Sequence, residues 1–209
     1  MNSSPAALLG PVSALAAMLL GGCVTVTPEN AEDPYEDFNR SMYAFNDGLD
    51  KSIVEPVAKG YRAITNEPVR GGVNNFLDNL GEPVTFVNEV LQGKIGNAAG
   101  TVGRFVVNTT IGIAGIFNPA EAIGIKRTDE DFGQTLGAWG VPAGPYLVLP
   151  FIGPSSPRDG FGVVADFFVD PVNYVEFDKD NEIRFGFAIA NGLVAREEAI
   201  ETFDTVRQQ

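Results

Sequence analysis

Residues 33–49 read Asp33-Pro34-Tyr35-Glu36-Asp37-Phe38-Asn39-Arg40-Ser41-Met42-Tyr43-Ala44-Phe45-Asn46-Asp47-Gly48-Leu49. This is a helix with a marked start. Asp33 suits the N-cap, where a carboxylate accepts from unpaired backbone N–H groups. Pro34 suits the first helical position, where the missing N–H costs nothing, and Glu36 completes a capping-box pattern. Tyr35, Phe38, Met42, Phe45 and Leu49 follow at spacings of three and four and form one apolar stripe. Ile53, Val57, Tyr61 and Ile64 continue it past Pro56, which kinks or divides the helix. The stripe reads first as core, with lipid contact as the alternative.

The same start signal recurs along the chain. Asn118-Pro119 precedes Glu121, Ser156-Pro157 precedes Asp159, and Thr128 precedes Asp131. These signals predict helices over 34–53, 56–65, 70–79, 82–92, 95–116, 119–124, 129–136, 157–168 and 181–206. The fold class expected is all-α: many short amphipathic helices in a compact ring-like arrangement, with one apolar Gly/Pro-rich hairpin. The 24 glycines and 14 prolines are consistent with helices that are often interrupted.

Two segments are unusually apolar. Phe105 to Phe117 carries no charge, and its 13 residues cannot cross a bilayer as a helix. They suit a buried helix or a membrane-embedded one equally, and Gly103, Gly112 and Gly115 admit a close neighbour. Residues 139–154 hold four prolines and three glycines among large apolar side chains, which excludes regular helix. A hairpin or extended loop that lies against protein or lipid is expected there.

Charge and composition exclude several functions. There are 27 acidic and 14 basic residues, a net charge of −13, and no basic stripe to neutralise phosphates, so no nucleic acid is expected. Histidine is absent, which removes the usual general base and the commonest transition-metal ligand; no metal and no cofactor are expected. Ser155, Ser156 and Asp159 form a serine–acid cluster, but a Ser-His-Asp relay is impossible and no Gly-x-Ser-x-Gly elbow occurs, so the chain reads as no enzyme.

The one cysteine is Cys23. Residues 6–20 form a short apolar run, and Leu20-Gly21-Gly22-Cys23 resembles a lipobox, although Met1 to Pro5 carries no Lys or Arg. The expected organisation is a signal peptide over 1–22, an acylated Cys23 with a polar tether to residue 32, and a helical domain over 33–209. Two or more acyl chains on Cys23 give stable anchoring where one is marginal. Val24, rather than Asp, follows the cysteine, which resembles an outer-membrane address.

Asp33-Pro34-Tyr35-Glu36-Asp37-Phe38-Asn39-Arg40 is similar to the opening of the MlaA (VacJ) outer-membrane lipoproteins. Further matches follow in family order: Asn75-Phe76 with Asn79-Leu80, Glu82-Pro83, Asn88 with Leu91-Gln92-Gly93, Arg104-Phe105 with Asn108-Thr109, and Phe132-Gly133-Gln134-Thr135-Leu136-Gly137. The most specific set is Gly144-Pro145-Tyr146, Leu149-Pro150, Gly153-Pro154-Ser155 and Arg158-Asp159. The acidic tail from Glu176 to Gln209 matches the pattern poorly.

The resemblance implies a nearly all-helical ring in the inner leaflet of the outer membrane, beside a trimeric porin. Its amphipathic channel passes strayed phospholipids toward a periplasmic, MlaC-like carrier and so maintains lipid asymmetry. On that reading Gly144, Pro145, Tyr146, Leu149, Pro150, Gly153 and Pro154 belong to a hairpin that lines or gates the channel. Arg104 and Arg158 are candidate head-group contacts. The alternative for Arg104 is a snorkelling side chain or a partner for a carboxylate such as Asp78 or Glu89; for Asp159 it is a capping acid. The rival function is a porin-associated adaptor that transports nothing itself.

Overall fold

A computed structural model describes residues 34–174 and 180–200, with residues 180–185 as backbone only. The leader, Cys23, the tether and Asp33 lie outside the described residues. Helix α1 spans Glu36–Leu49 and continues through a π-helical turn, Asp50–Val54, into α2, Glu55–Ile64. Then come α3, Glu67–Leu91, α4, Ile95–Thr110, α5, Pro119–Ala122, and α6, Phe132–Ala138. Strands β1, Leu147–Leu149, and β2, Gly153–Ser155, form an antiparallel hairpin that pairs Leu147 with Ser155 and Leu149 with Gly153. Helix α7, Pro157–Val169, a 3-10 turn at Pro171–Tyr174, and α8, Asp180–Glu198, complete the described chain.

The packing closes a circuit. Helix α1 lies on β1, the hairpin leads into α7, α7 packs on α6, and α6 packs on α3. Helix α3 touches α8, and α8 returns to α2 beside α1. Ions fasten both of these contacts of α8: Arg196 grips Asp50 in the π turn through two bonds of 2.6 and 3.0 Å, and Arg70 on α3 reaches Glu197 at 3.2 Å. No helix among the described residues is long and apolar enough to cross a membrane.

Several expected boundaries move, each for a local reason. Helix α1 begins at Glu36 with Tyr35 at the cap and no side-chain cap bond, two residues later than Pro34 implied. Pro56 does not break the chain of turns. The π turn ahead of it gives Glu55 N a partner in Asp50 O, one residue further back than in an α-helix. The two helices expected over 70–79 and 82–92 are one, α3, with Pro83 inside it. It starts earlier because Asn66 caps it, accepting from Val69 N at 3.1 Å. Pro83 forfeits one backbone bond, a cost that packing against α4, α6, α7 and α8 offsets.

Helix α4 stops at Thr110 rather than 116. Residues 111–117 fold into a tight turn in which Ile113, Ala114 and Gly115 take φ of 54, 56 and 90°. Gly115 is required there: a Cβ would stand 2.5 Å from Asn79 Cβ on α3. Gly112 lets the turn close, since its Cβ would meet Phe117 O and the Asn108 backbone. The cap of α6 is Asp131, which accepts from Gln134 N at 2.7 Å, and not Thr128. Asn118 and Ser156 do cap their helices, accepting from Glu121 N and Asp159 N.

Candidate functional site

Among the described residues, buried polar side chains outnumber buried apolar ones, and many large apolar side chains are exposed. Among the described residues the largest fully buried side chains are Arg104, Glu89, Asn88, Thr101 and Thr135. The side chains left outside include Ile64, Ile111, Ile113, Phe117, Phe151 and Phe161, with Phe151 75% exposed. A water-soluble helical domain of this size has the opposite distribution. The aromatic stripe of α1 follows the same inversion: Phe38 and Phe45 are exposed, and the buried residue of that helix is Asn39. Phe105, Val106 and Ile111 likewise face outward, while Arg104 and Asn108 on the same helix face inward.

The inward groups form a seam between α3 and α4. Asn79, Glu82, Thr85, Asn88 and Glu89 recur at helical spacing on one side of α3. Arg104 Nε donates to Glu82 Oε1 at 2.9 Å, and its Nη1 donates to Ile125 O at 2.7 Å. Thr101 and Thr128 each donate to Glu89 at 2.6 Å. Asn88 donates to Asp166 Oδ1 at 2.8 Å and accepts from Thr135 at the same distance, which ties α3 to α6 and α7. Burial raises the Glu82 carboxyl above the ordinary carboxylate range, against the opposing pull of Arg104, and Glu82 Oε2 has no hydrogen-bond partner. Burial likewise raises Asp166, although Phe132 N and Asn88 both donate to it.

The hairpin is held by two asparagines of α1. Asn39 Nδ2 donates to Tyr146 O at 3.1 Å, and Val148 N donates to Asn39 Oδ1 at 2.8 Å. Two helical turns further along α1, Asn46 Nδ2 donates to Leu149 O and Phe151 N donates to Asn46 Oδ1, both at 2.9 Å. Leu147, Val148 and Leu149 are buried, while Tyr146, Phe151 and Ile152 project outward. Phe151 sits at φ 67°, and Gly144 and Gly153 also take left-handed backbone. Pro150 lies in the turn, Pro154 stands opposite Val148, and a Cβ on Gly144 would press on the Pro157 ring at 3.2 Å.

A cleft of about 520 Å³ opens where α3, the 127–131 segment, α6 and α7 meet. It is amphipathic: Val84, Val163 and Phe167 stand beside Arg127, Glu130 and Asp170. Burial works against the charge of Arg127, but Asp78 and Asp129 more than offset this and raise its pKa. A guanidinium and carboxylates beside apolar walls give a surface that can meet both ends of an amphiphile.

The sequence-expected residues fall in different places. The hairpin residues Gly144, Pro145, Tyr146, Leu149, Pro150, Gly153 and Pro154 come together in one element. Arg104 lies in the seam at 2% exposure, its partner Glu82 rather than Asp78 or Glu89, and any contact with a head group would require it to leave that carboxylate. Arg158 is partly buried and bonds Asp159 at 2.9 Å. Asp159 is held below the usual carboxylate range first by its hydrogen bond from Ser156 and then by Arg158. Sequence reasoning missed Asn39 and Asn46 as hairpin clamps, although their separation of two helical turns was a usable signal. It also missed Arg127, whose neighbours come from α3 and the 127–131 segment.

The sequence profile of the MlaA lipoprotein family matches residues 31–209, and so includes the acidic tail. An uncharacterized protein of Rickettsia typhi is 42% identical over 154 residues, covering 73% of this chain and 59% of the relative. The chain therefore spans about three fifths of the length of the rickettsial relatives it matches. The intermembrane phospholipid transport system lipoprotein MlaA of Escherichia coli is 36% identical over 205 residues, covering 93% of this chain and 78% of that one. Its Haemophilus influenzae namesake is 38% identical over 159 residues, covering 73% and 64%. A solved structure described as the structural basis for maintenance of bacterial outer membrane lipid asymmetry aligns with a TM-score of 0.73 at 33% identity, over 85% of this chain and 89% of that one. With a family match that takes in all of the described residues, this chain belongs to the MlaA lipoprotein family.

Proposed function

We propose that this chain is an outer-membrane lipoprotein that gives mislocalised phospholipids an amphipathic path out of the outer leaflet, toward a periplasmic carrier, and so maintains lipid asymmetry. The observation that carries the reading is the inverted distribution of polarity. A closed circuit of helices with many large apolar side chains outside and a polar seam inside is stable in hydrocarbon, and the amphipathic cleft beside that seam offers a charged head group a polar entry. The relatives named for intermembrane phospholipid transport point the same way.

In this reading Cys23, cut free of residues 1–22 and acylated, delivers the domain to the membrane, and the exposed apolar groups set it in the inner leaflet. The hairpin forms the lip of the path. No bond of the lipid is broken. A trimeric porin at the outer wall and an MlaC-like carrier at the periplasmic end complete the proposed assembly. Purified acylated protein is expected to carry phospholipid and, in proteoliposomes, to pass labelled phospholipid to an added MlaC-like carrier. Protein that folds and anchors but neither carries nor passes lipid is an adaptor, and the transport reading fails.

A further inference from the structure

The cleft between α3, α6 and α7 has a charge character that passage of a generic phospholipid does not require. Five carboxylates line it, Asp129, Glu130, Asp131, Asp166 and Asp170, against one cation, Arg127. Most are already engaged. Asp78 and Asp129 bracket Arg127, Asp131 caps α6, and Asp166 holds Asn88 and Phe132 N. Two other carboxylates of the lining, Glu130 and Asp170, are less fully engaged. Glu130 is only 10% exposed and pairs with Lys94 through Oε1 at 2.6 Å, yet its buried Oε2 has no hydrogen-bond partner. Asp170, at the end of α7, gives one oxygen to Val172 N at 2.9 Å. Burial holds its carboxyl above the usual range, against the opposing pull of the Val172 N–H. A buried carboxylate oxygen left unmatched is costly, and a donor that enters the cleft relieves that cost.

We propose that this cleft is a head-group subsite for phospholipids bearing a primary ammonium, with Glu130 and Asp170 receiving the ammonium, Arg127 facing the phosphate, and Val84, Val163 and Phe167 receiving the first acyl methylenes. The inference rests on the transport reading above. An ammonium has three donors and no acceptor, which is what the open oxygens lack. A phosphatidylglycerol head brings hydroxyls and a net negative charge into a cleft already rich in carboxylates, where like charge repels.

The test uses full-length acylated protein in detergent. It is incubated with mixed micelles of equimolar phosphatidylethanolamine and phosphatidylglycerol of matched chains, re-isolated, and its bound lipid measured by mass spectrometry. EDTA is present, so that a bridging divalent cation cannot create the preference. The wild type is expected to hold phosphatidylethanolamine over phosphatidylglycerol by about fivefold, the discrimination of one charge-assisted contact in a partly wetted cleft. Glu130→Gln and Asp170→Asn are each expected to move the ratio toward one. Wild-type protein that holds both lipids at parity, or favours phosphatidylglycerol, overturns the head-group proposal and leaves the transport reading standing. Wild-type protein that holds neither overturns both. A ratio unmoved in both variants, with their thermal unfolding like the wild type, also overturns the subsite.

Discussion

Asn39 and Asn46 stand seven residues apart on α1, and each closes a two-bond ring with the hairpin backbone, Asn39 at Tyr146 and Val148, Asn46 at Leu149 and Phe151. A side-chain amide has one donor and one acceptor face, which is what an unpaired strand edge offers in complement. The helix thus acts as the missing neighbour strand of β1, and the hairpin position is set by α1 rather than by its own two short strands. Removing one amide should free the edge. Asn39→Ala leaves Val148 N, which is buried, without an acceptor and should cost about 1–3 kcal/mol. Asn46→Ala should cost less, because Phe151 is exposed. Thermal unfolding in detergent checks the order, and hydrogen exchange should show the amides of 147–151 opening first in both variants.

Glu82 and Arg104 are a buried pair with one carboxylate oxygen unmatched. Glu82→Ala strands the guanidinium and should destabilise by about 3–5 kcal/mol. Glu82→Gln keeps an acceptor for Arg104 Nε and should be milder. The two variants also differ from the wild type in pH response. The folded pKa of Glu82 is raised, so its contribution to stability is fully present below its unfolded value. That contribution is lost as pH rises through the folded one. In Glu82→Gln the fall of unfolding temperature with rising pH just above the ordinary carboxylate range should be shallower. An unchanged slope would show that Glu82 is not the group responsible.

Gly115 and Gly124 provide a matched comparison, since both take left-handed backbone, at φ 90 and 89°. A Cβ at Gly124 meets open space, while one at Gly115 collides with Asn79. Gly124→Ala should therefore cost only the backbone strain, about 1 kcal/mol. Gly115→Ala should add overpacking of about 1–3 kcal/mol more. Urea or thermal unfolding of the two variants in the same detergent separates the contributions.

Trp139 is the only tryptophan, it is 54% exposed, and its Nε1 donates to Leu91 O at 3.0 Å. If the apolar exterior lies in one leaflet, its fluorescence in reconstituted bilayers should be quenched by brominated acyl chains, at a depth short of the bilayer centre. Quenching only by aqueous acrylamide would place this surface in water.

The helical class, most helix starts and the hairpin were legible in the sequence because they depend on local chemistry: caps, prolines and apolar spacing. Asn118 and Ser156 announce their helices with their own side chains. What was not legible depends on partners far along the chain. Pro83 argues locally for a break, and only packing on several sides keeps α3 whole. The stripe from Tyr35 to Leu49 has the periodicity of a core face, yet periodicity reports that a helix has two sides and not which side meets lipid. Arg104 could be recognised as an isolated charge in an apolar run, but its partner depends on α3 being continuous through Glu82. The cleft around Arg127 has no local signature, since its walls come from three separate stretches of the chain.

The activity proposed for this chain is removal of phospholipid from the outer leaflet of the outer membrane. The most direct measurement labels outer-leaflet phospholipid on intact cells of a strain lacking its own copy, with and without this chain supplied. The wild-type chain is expected to restore a surface nearly free of labelled phospholipid, while Cys23→Ala leaves the label high through mislocalisation. A surface equally labelled with and without the wild-type chain, although the protein is acylated and in the outer membrane, would contradict it.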